Sequence, residues 1–524
     1  MILRHFGTSN RLSDVSIPVF ACATEMARLV RTKAISPVEL VDAHLSRIDA
    51  LNPALNAYVG VDADRARADA RAAEHALMHP VLSPLHAAPA SAEATAGRPG
   101  TRHIEFPLLG VPVSIKSAIS VEGLPFETGS RFRAGVRGEA DATLVSRLRA
   151  AGAIVLGVTN VAEQLMAWET DNALYGRTNS PWALDRTPGG SSGGEAAAIA
   201  AGLSAGGVGS DGGGSIRVPA HFSGICGLKP TPGRVPATGH FPPCGGPFAL
   251  TGVVGPMART IDDVRLLLEV MAGADIGDPN GHPVPLEGLG PRASGLGLLT
   301  AGDELRVGFF EDDGIVPVDA DTRRAIRQAV AWLEDAGVVV EPFRPDGLEE
   351  ARELWWEIFG RASRLLLEPL VAGREAEVHP NLVQFLDWTR RDPPLTALRL
   401  LHVEIARDML RTRVLRQMER YPVLLCPVAP MPAFRHGERE WTIEGTQVHY
   451  LDAWRYTAWF NLLQNPGVSV PVTASSEGLP IGVQVIARPW EELTALAVAR
   501  VIEQSRGPWQ APPAFVPRPS SFVP

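Results

Sequence analysis

The chain has 524 residues, 45% of them hydrophobic and 20% charged, with 51 Gly and 45 Pro scattered without a period, which excludes both disorder and a collagen-like repeat. A formal net charge of −9 argues against a surface built for phosphate backbones or anionic lipid, so nucleic acid is not expected as a ligand. Cys22, Cys226, Cys244 and Cys426 form no C-x-x-C pair and have no His at metal spacing, so the four thiols read as buried and free rather than as a zinc site or a disulfide framework. The N-terminus lacks the apolar core of a signal peptide, and no run is long and apolar enough for a membrane span. A cytoplasmic location is expected.

Ser36-Pro37-Val38-Glu39 reads as an N-cap, a first-turn proline and a capping-box acid, with Leu40, Val41, Leu45 and Ile48 on one face of a helix that is expected to stop before Asn52-Pro53. A second helix is predicted from Ala63 to about Met78. Residues 79–103, rich in Pro, Ala and Ser, predict a mobile surface loop. From Pro107 the run LLGVPVSIKSAIS has the β-branched content of a strand, Ala142 to Ala151 is helical, and 153–157 is a short buried strand. Alternation of this kind predicts an α/β fold. Residues 176–239 are dense in glycine and read as mostly loop, since such density marks backbone that approaches a ligand closely. Across 348–420 amphipathic helices carrying Trp355, Trp356, Phe359, Phe385 and Trp388 predict an all-helical excursion. The chain then closes with a hairpin, GVSVPVTA and PIGVQVIA about the turn SSEG, and a helix from about Glu491 to Gln504. No linker is visible, so residues 24–510 are expected to form one domain, between an extension at 1–23 and a tail at 511–524.

Three motifs overlap in the glycine-rich stretch. Gly207 to Gly212 fits G-x-G-x-x-G, but no Asp or Glu follows until Asp262, and GGSIRVPAHF is a poor helix start for a dinucleotide site. Gly189 to Gly193 fits the G-x-S-x-G nucleophile elbow and leads into the helical EAAAIAAG, yet the preceding ALDRTP is a bad strand. Gly212-Gly213-Gly214-Ser215 offers several backbone N–H groups around one serine, as stabilising an oxyanion requires. A serine needs a base, and Lys116 is the one charge in GVPVSIKSAIS; held in a dry site it would lose its proton readily, while on an open strand it would simply reach to solvent.

The segments KSAISVEGLPFETGS, GVTNVAEQLM, YGRTNSPWALDRTPGGSSGGEAAAIAAG and GSDGGGSIRVPAHFSGICGLKPTPGRVP together resemble the amidase signature family. The likeness extends from SPVEL near the start to NPGVSVPVTASSEGLPIGVQVIA near the end. It implies the amidase signature fold, a large mixed sheet flanked by helices on both faces, with the helical excursion at 348–420 shaping a substrate channel. It also implies a Ser-Ser-Lys triad: Ser215 as nucleophile, Lys116 as neutral base, and Ser191, preceded by a cis peptide bond, as the relay between them. Ser191 lies 75 residues after Lys116 and Ser215 lies 24 after Ser191, the family's spacings. The N–H groups of Gly212, Gly213, Gly214 and Ser215 would form the oxyanion hole, Asp211 and Arg217 would hold that loop, and Ser192 would support the network. His221 is assigned no catalytic part.

The implied reaction is hydrolysis of a carboxylic amide through an acyl-enzyme on Ser215, with esters and carbamates within the family's range, and with no metal or organic cofactor. The expected partner is a small-molecule amide of apolar or aromatic character, and a homodimer is compatible with the sequence. The alternative is the glutaminase (A) subunit of a tRNA-dependent amidotransferase. In those subunits an acid is expected three residues before the Thr of a T-x-x-x-N segment; Thr457 and Asn461 fit the segment, but position 454 is Trp. Trp454, Trp459 and Phe460 suggest an apolar approach to the site instead. The chain also departs from the family pattern at Ser117, where Asp is usual, and at Ser210 and Gly212, where threonines are usual.

Overall fold

The computed structural model describes residues 17–78, 106–286 and 305–515, so the loop expected at 79–103 lies outside the described residues. Its strands are β1 (Tyr58–Val61), β2 (Pro112–Lys116), β3 (Ile154–Thr159), β4 (Gly206–Asp211), β5 (Cys226–Lys229), β6 (Val253–Ala258), β7 (Arg306–Phe309), β8 (Val339–Pro342), β9 (Val423–Pro427), β10 (Glu440–Ile443), β11 (Thr446–His449), β12 (Gly467–Ala474) and β13 (Pro480–Ala487). All but the β10–β11 hairpin join one 11-stranded sheet in the order β1-β3-β2-β4-β6-β5-β12-β13-β9-β7-β8. β2 runs parallel to both β3 and β4, the strands from β4 through β13 to β9 pair antiparallel, and β7 is parallel to β8 and β9.

Period-two alternation buries both sheet faces. Val113 and Ile115 of β2 and Val155 of β3 pack into a core with Leu267 and Leu268 of the helix Ile261–Met271 and Ala499 of Glu492–Arg506. Ile154 and Leu156 turn the other way, onto Ala197 and Ala198 of the helix Gly193–Ala200 and Leu45 and Ile48 of Pro37–Leu55. The fold is the mixed, doubly covered sheet that the resemblance implied.

The helix at residue 37 begins as its sequence dictates: Ser36 Oγ accepts the Val38 N–H and Glu39 Oε2 accepts the Ser36 N–H, each at 3.0 Å. It continues through Pro53 to Leu55 instead of stopping before Asn52. Pro53 has no N–H to give the Asp49 carbonyl, so one helical bond is missing in the last turn, and Asn52 Oδ1 accepts the Ala57 and Tyr58 N–H groups just beyond it at 2.8 Å each. Asn56 ends the helix at φ 50°.

The glycine-rich stretch is less loop-like than expected, for it contains the whole of β4, the helix Arg217–Ser223 and β5. Close packing is the reason: a Cβ on Gly207 would lie 2.0 Å from Glu195 Oε1 and 2.2 Å from the Ser114 carbonyl oxygen. Glycine thins this central strand so that the helix bearing Glu195 can reach it.

The helical excursion is present as Leu348–Trp355, a π-helical turn Trp356–Arg361, Ala362–Val371, Pro380–Arg390 and Ala397–Gln417. With residues 450–463 it forms a separate aromatic core containing Trp355, Phe385, Trp388, Trp454, Trp459 and Phe460. Trp454, Trp459 and Phe460 are thus packing residues and do not line an approach to the site; Trp454 stacks on Trp168 with centroids 5.4 Å apart. Among the described residues no helix is long and apolar enough to cross a membrane. Cys226 and Cys426 are buried and free, whereas Cys22 and Cys244, also free, are partly exposed.

Candidate active site

Lys116 is the last residue of β2 and Asp211 the last of its parallel neighbour β4, so the predicted residues gather at the carboxyl ends of adjacent strands, where open α/β sheets place their ligands. The backbone after β4 carries Gly212 to Ser215 and enters the helix Arg217–Ser223. Ser191 and Ser192 arrive on the turn before the helix Gly193–Ala200, and the Gly190–Ser191 peptide bond is cis.

Lys116 is completely buried. Its Nζ lies 2.7 Å from Ser191 Oγ, 2.8 Å from Ser192 Oγ and 3.3 Å from the Ser210 carbonyl oxygen. Burial lowers its pKa to about 7, against the opposing pull of the Asp211 and Glu195 charges. The three acceptors can each take an N–H of the ammonium, and the same set also accommodates the neutral amine. In the neutral form two N–H bonds would serve Ser210 O and Ser192 Oγ, and Ser192 in turn donates to Ser210 O at 3.3 Å. The nitrogen lone pair is then left for the Ser191 O–H.

Asp211 and Arg217, both fully buried, brace the loop between them. Asp211 accepts Arg217 Nε and Nη2 at 3.1 Å each, and also the N–H groups of Gly214 at 2.7 Å and Ile216 at 3.1 Å. Burial alone would raise the Asp211 pKa; the Arg217 charge and hydrogen bonds, helped by Lys229 and Asn461, outweigh it and hold the carboxylate below its ordinary range. Arg217 further donates to Gln484, Asn461 and the Thr457 carbonyl.

The carbonyls of the loop are pinned as well. Trp355 Nε1 donates to Gly212 O at 2.8 Å, while Trp168 Nε1 at 3.2 Å and Thr457 Oγ1 at 2.8 Å donate to Gly213 O. Among the described residues the N–H groups of Gly212, Gly213 and Ser215 have no protein partner, in contrast to that of Gly214. Of the four N–H groups expected around the oxyanion, that of Gly214 is thus bonded to Asp211.

Ser191, Ser215 and Gly212 open onto a cavity of about 280 Å³ whose walls are mainly apolar, among them Met166, Phe241, Phe248, Phe359, Leu366 and Leu370. Phe359 comes from the helical excursion, while Phe241 and Phe248 come from the chain between β5 and β6. Ser117 is buried, and both ring nitrogens of the buried His221 are engaged, by Gly482 N–H at 2.8 Å and Met431 O at 3.2 Å.

Several residues around the site were missed in the sequence. Glu195 is completely buried and accepts Ser114 Oγ at 2.5 Å and Thr159 Oγ1 at 2.8 Å; burial raises its pKa to about 7. It is the lone charge in GGEAAAIAAG, the same signal that singled out Lys116. Trp168 and Trp355 carry no such signal, since their contacts are made only by folding.

The chain matches the family model described as Amidase over residues 76–496. It is 34% identical to a glutamyl-tRNA(Gln) amidotransferase subunit of Anaeromyxobacter dehalogenans, over 92% of this chain and 96% of that protein. It is also 34% identical to indoleacetamide hydrolase of Bradyrhizobium diazoefficiens, over 93% and 86% respectively. Among solved structures, a bacterial aryl acylamidase of the amidase signature family superposes with TM-score 0.79 at 26% identity, covering 95% of this chain and 99% of that one. The chain belongs to the amidase signature family and is an amidase, a hydrolase of carbon–nitrogen bonds.

Proposed function

We propose that this enzyme hydrolyses small apolar or aromatic amides to the acid and ammonia or amine, through an acyl-enzyme on Ser215. The observation that carries the reading is a buried lysine 2.7 Å from Ser191 Oγ, beside a cavity where Ser215 adjoins three N–H groups without a partner among the described residues. Neutral Lys116 takes the Ser191 proton as Ser191 takes that of Ser215, and Ser215 Oγ attacks the substrate carbonyl. The N–H groups of Gly212, Gly213 and Ser215 receive the oxyanion; the Gly212 and Gly213 carbonyls are already anchored, so little reorganisation accompanies the reaction. The proton returns through Ser191 to the leaving nitrogen, and water repeats the cycle to free the acid. Asp211, Arg217 and Ser192 act as supports, through the loop and through the lysine. Residues 24–510 would serve as one catalytic domain.

The glutaminase reading is weaker for a physical reason. A glutamine zwitterion needs charged partners, and Asp211, the acid in the described cavity wall, is committed to Arg217. Trp454, at the position where an acid is expected, is buried against Trp168.

The purified chain should release ammonia or amine from aryl and aliphatic amides without partner subunits. Ser215→Ala and Lys116→Ala should each lower kcat by at least about 10³-fold, and a fluorophosphonate should label Ser215. Label on Ser191 or Ser192, or turnover of glutamine alone and only with added subunits, would count against the proposal.

A further inference from the structure

Position 212, one of the departures from the family pattern, acquires a partner in the fold. A Cβ on Gly212 would lie 2.7 Å from Phe359 Cε2 and 3.4 Å from Cδ2, so the ring edge rests directly on the backbone of the loop that carries Ser215. A Cβ on Gly213 would lie 2.5 Å from Trp355 Cζ2. Trp355 and Phe359 are stacked, with centroids 4.8 Å apart and planes 13° from parallel. The two rings therefore lie as one aromatic plate over two glycines, and the plate is tied down by the Trp355 bond to Gly212 O.

The two rings differ in what they face. Trp355 is buried, whereas Phe359 is partly exposed and belongs to the wall of the cavity that Ser191 and Ser215 also line. Phe359 sits in the π-helical turn Trp356–Arg361, whose i→i+5 bonding interrupts the regular helix between Trp355 and Ala362. The next helix adds Leu366, Leu367 and Leu370 to the same wall. An apolar ring presented at a cavity wall beside a nucleophile attracts a second ring by stacking or edge contact more than it attracts a saturated group of the same size.

We propose that Phe359 is a specificity-determining residue: seated on the Ser215 loop through the missing side chain of Gly212, it selects substrates whose acyl or amine group is a flat aromatic ring. The assignment rests on the amidase reading of the cavity. Two measurements test it. Phenylacetamide and cyclohexylacetamide differ in flatness far more than in size, and the wild type should favour the former in kcat/KM by about 3- to 10-fold, mostly through KM. In Phe359→Ala that ratio should fall to about 1. The seating is tested by a double-mutant cycle: Gly212→Ala should lower Tm, and its cost should be smaller in the Phe359→Ala background, where the added methyl has room.

Equal handling of the two amides by the wild type, an unchanged ratio in Phe359→Ala, or additive Tm losses in the double variant would each overturn the assignment. Absence of turnover of both amides by the wild type would strike the reading of this cavity as the site of such amides. In that case the Kd ratio of phenylacetate to cyclohexylacetate, measured by calorimetry for wild type and Phe359→Ala, still decides the role of the ring.

Discussion

The pH dependence of catalysis tests the role of Lys116 most directly. An exposed lysine of pKa 10.5 would be neutral in about one molecule in 3,000 at pH 7. Burial brings Lys116 to about 7, so about half of the molecules then hold the free amine, a gain of about 10³ in available base. The sign follows: protonation removes the base, so kcat/KM for a neutral amide should rise from pH 5 and level off above an apparent pKa near 7. The Glu195 charge raises the Lys116 pKa, so Glu195→Gln should move the rising limb to lower pH. Because the Glu195 pKa is itself pushed up to about 7 by burial, the wild-type limb belongs to the pair, and Glu195→Gln isolates the lysine. Initial rates between pH 5 and 9 in a constant-ionic-strength buffer measure both. A rate that falls as pH rises from 5 to 8, or a limb moved to higher pH by Glu195→Gln, would refute the neutral-lysine mechanism.

Trp355→Phe keeps an aromatic ring for stacking but deletes the N–H donated to Gly212 O, freeing the peptide that aims the Gly213 N–H; kcat should fall about 10-fold with KM little changed, read from steady-state kinetics. Arg217→Met leaves Asp211 charged, buried and without its cation. Stability should drop by about 3–5 kcal/mol in urea unfolding, well beyond the effect of removing an exposed ion pair such as Arg28–Glu25.

Local signals settled much of this protein. The capping box at Ser36, the period-two runs of β12 and β13, and the placing of one lysine in an apolar strand all depend on near neighbours, and each is visible in a single sequence. The same kind of signal marks Glu195, a lone charge in an alanine-rich helix, although its role emerges only from what it touches. Short strands such as β7 and β8 were not legible, because four residues carry too little pattern to separate a strand from a loop. Glycine density is ambiguous at β4: the residue type reports that something comes close, but whether that is a ligand, a helix or a ring depends on what the rest of the chain brings there. Near Gly207 it is Glu195, and near Gly212 it is Phe359. Which N–H groups stay free, which tryptophans anchor the loop and which merely fill the core were likewise decided only by tertiary structure. Those outcomes are competitions for single hydrogen-bonding atoms and single patches of space, and the competitors lie in distant parts of the chain.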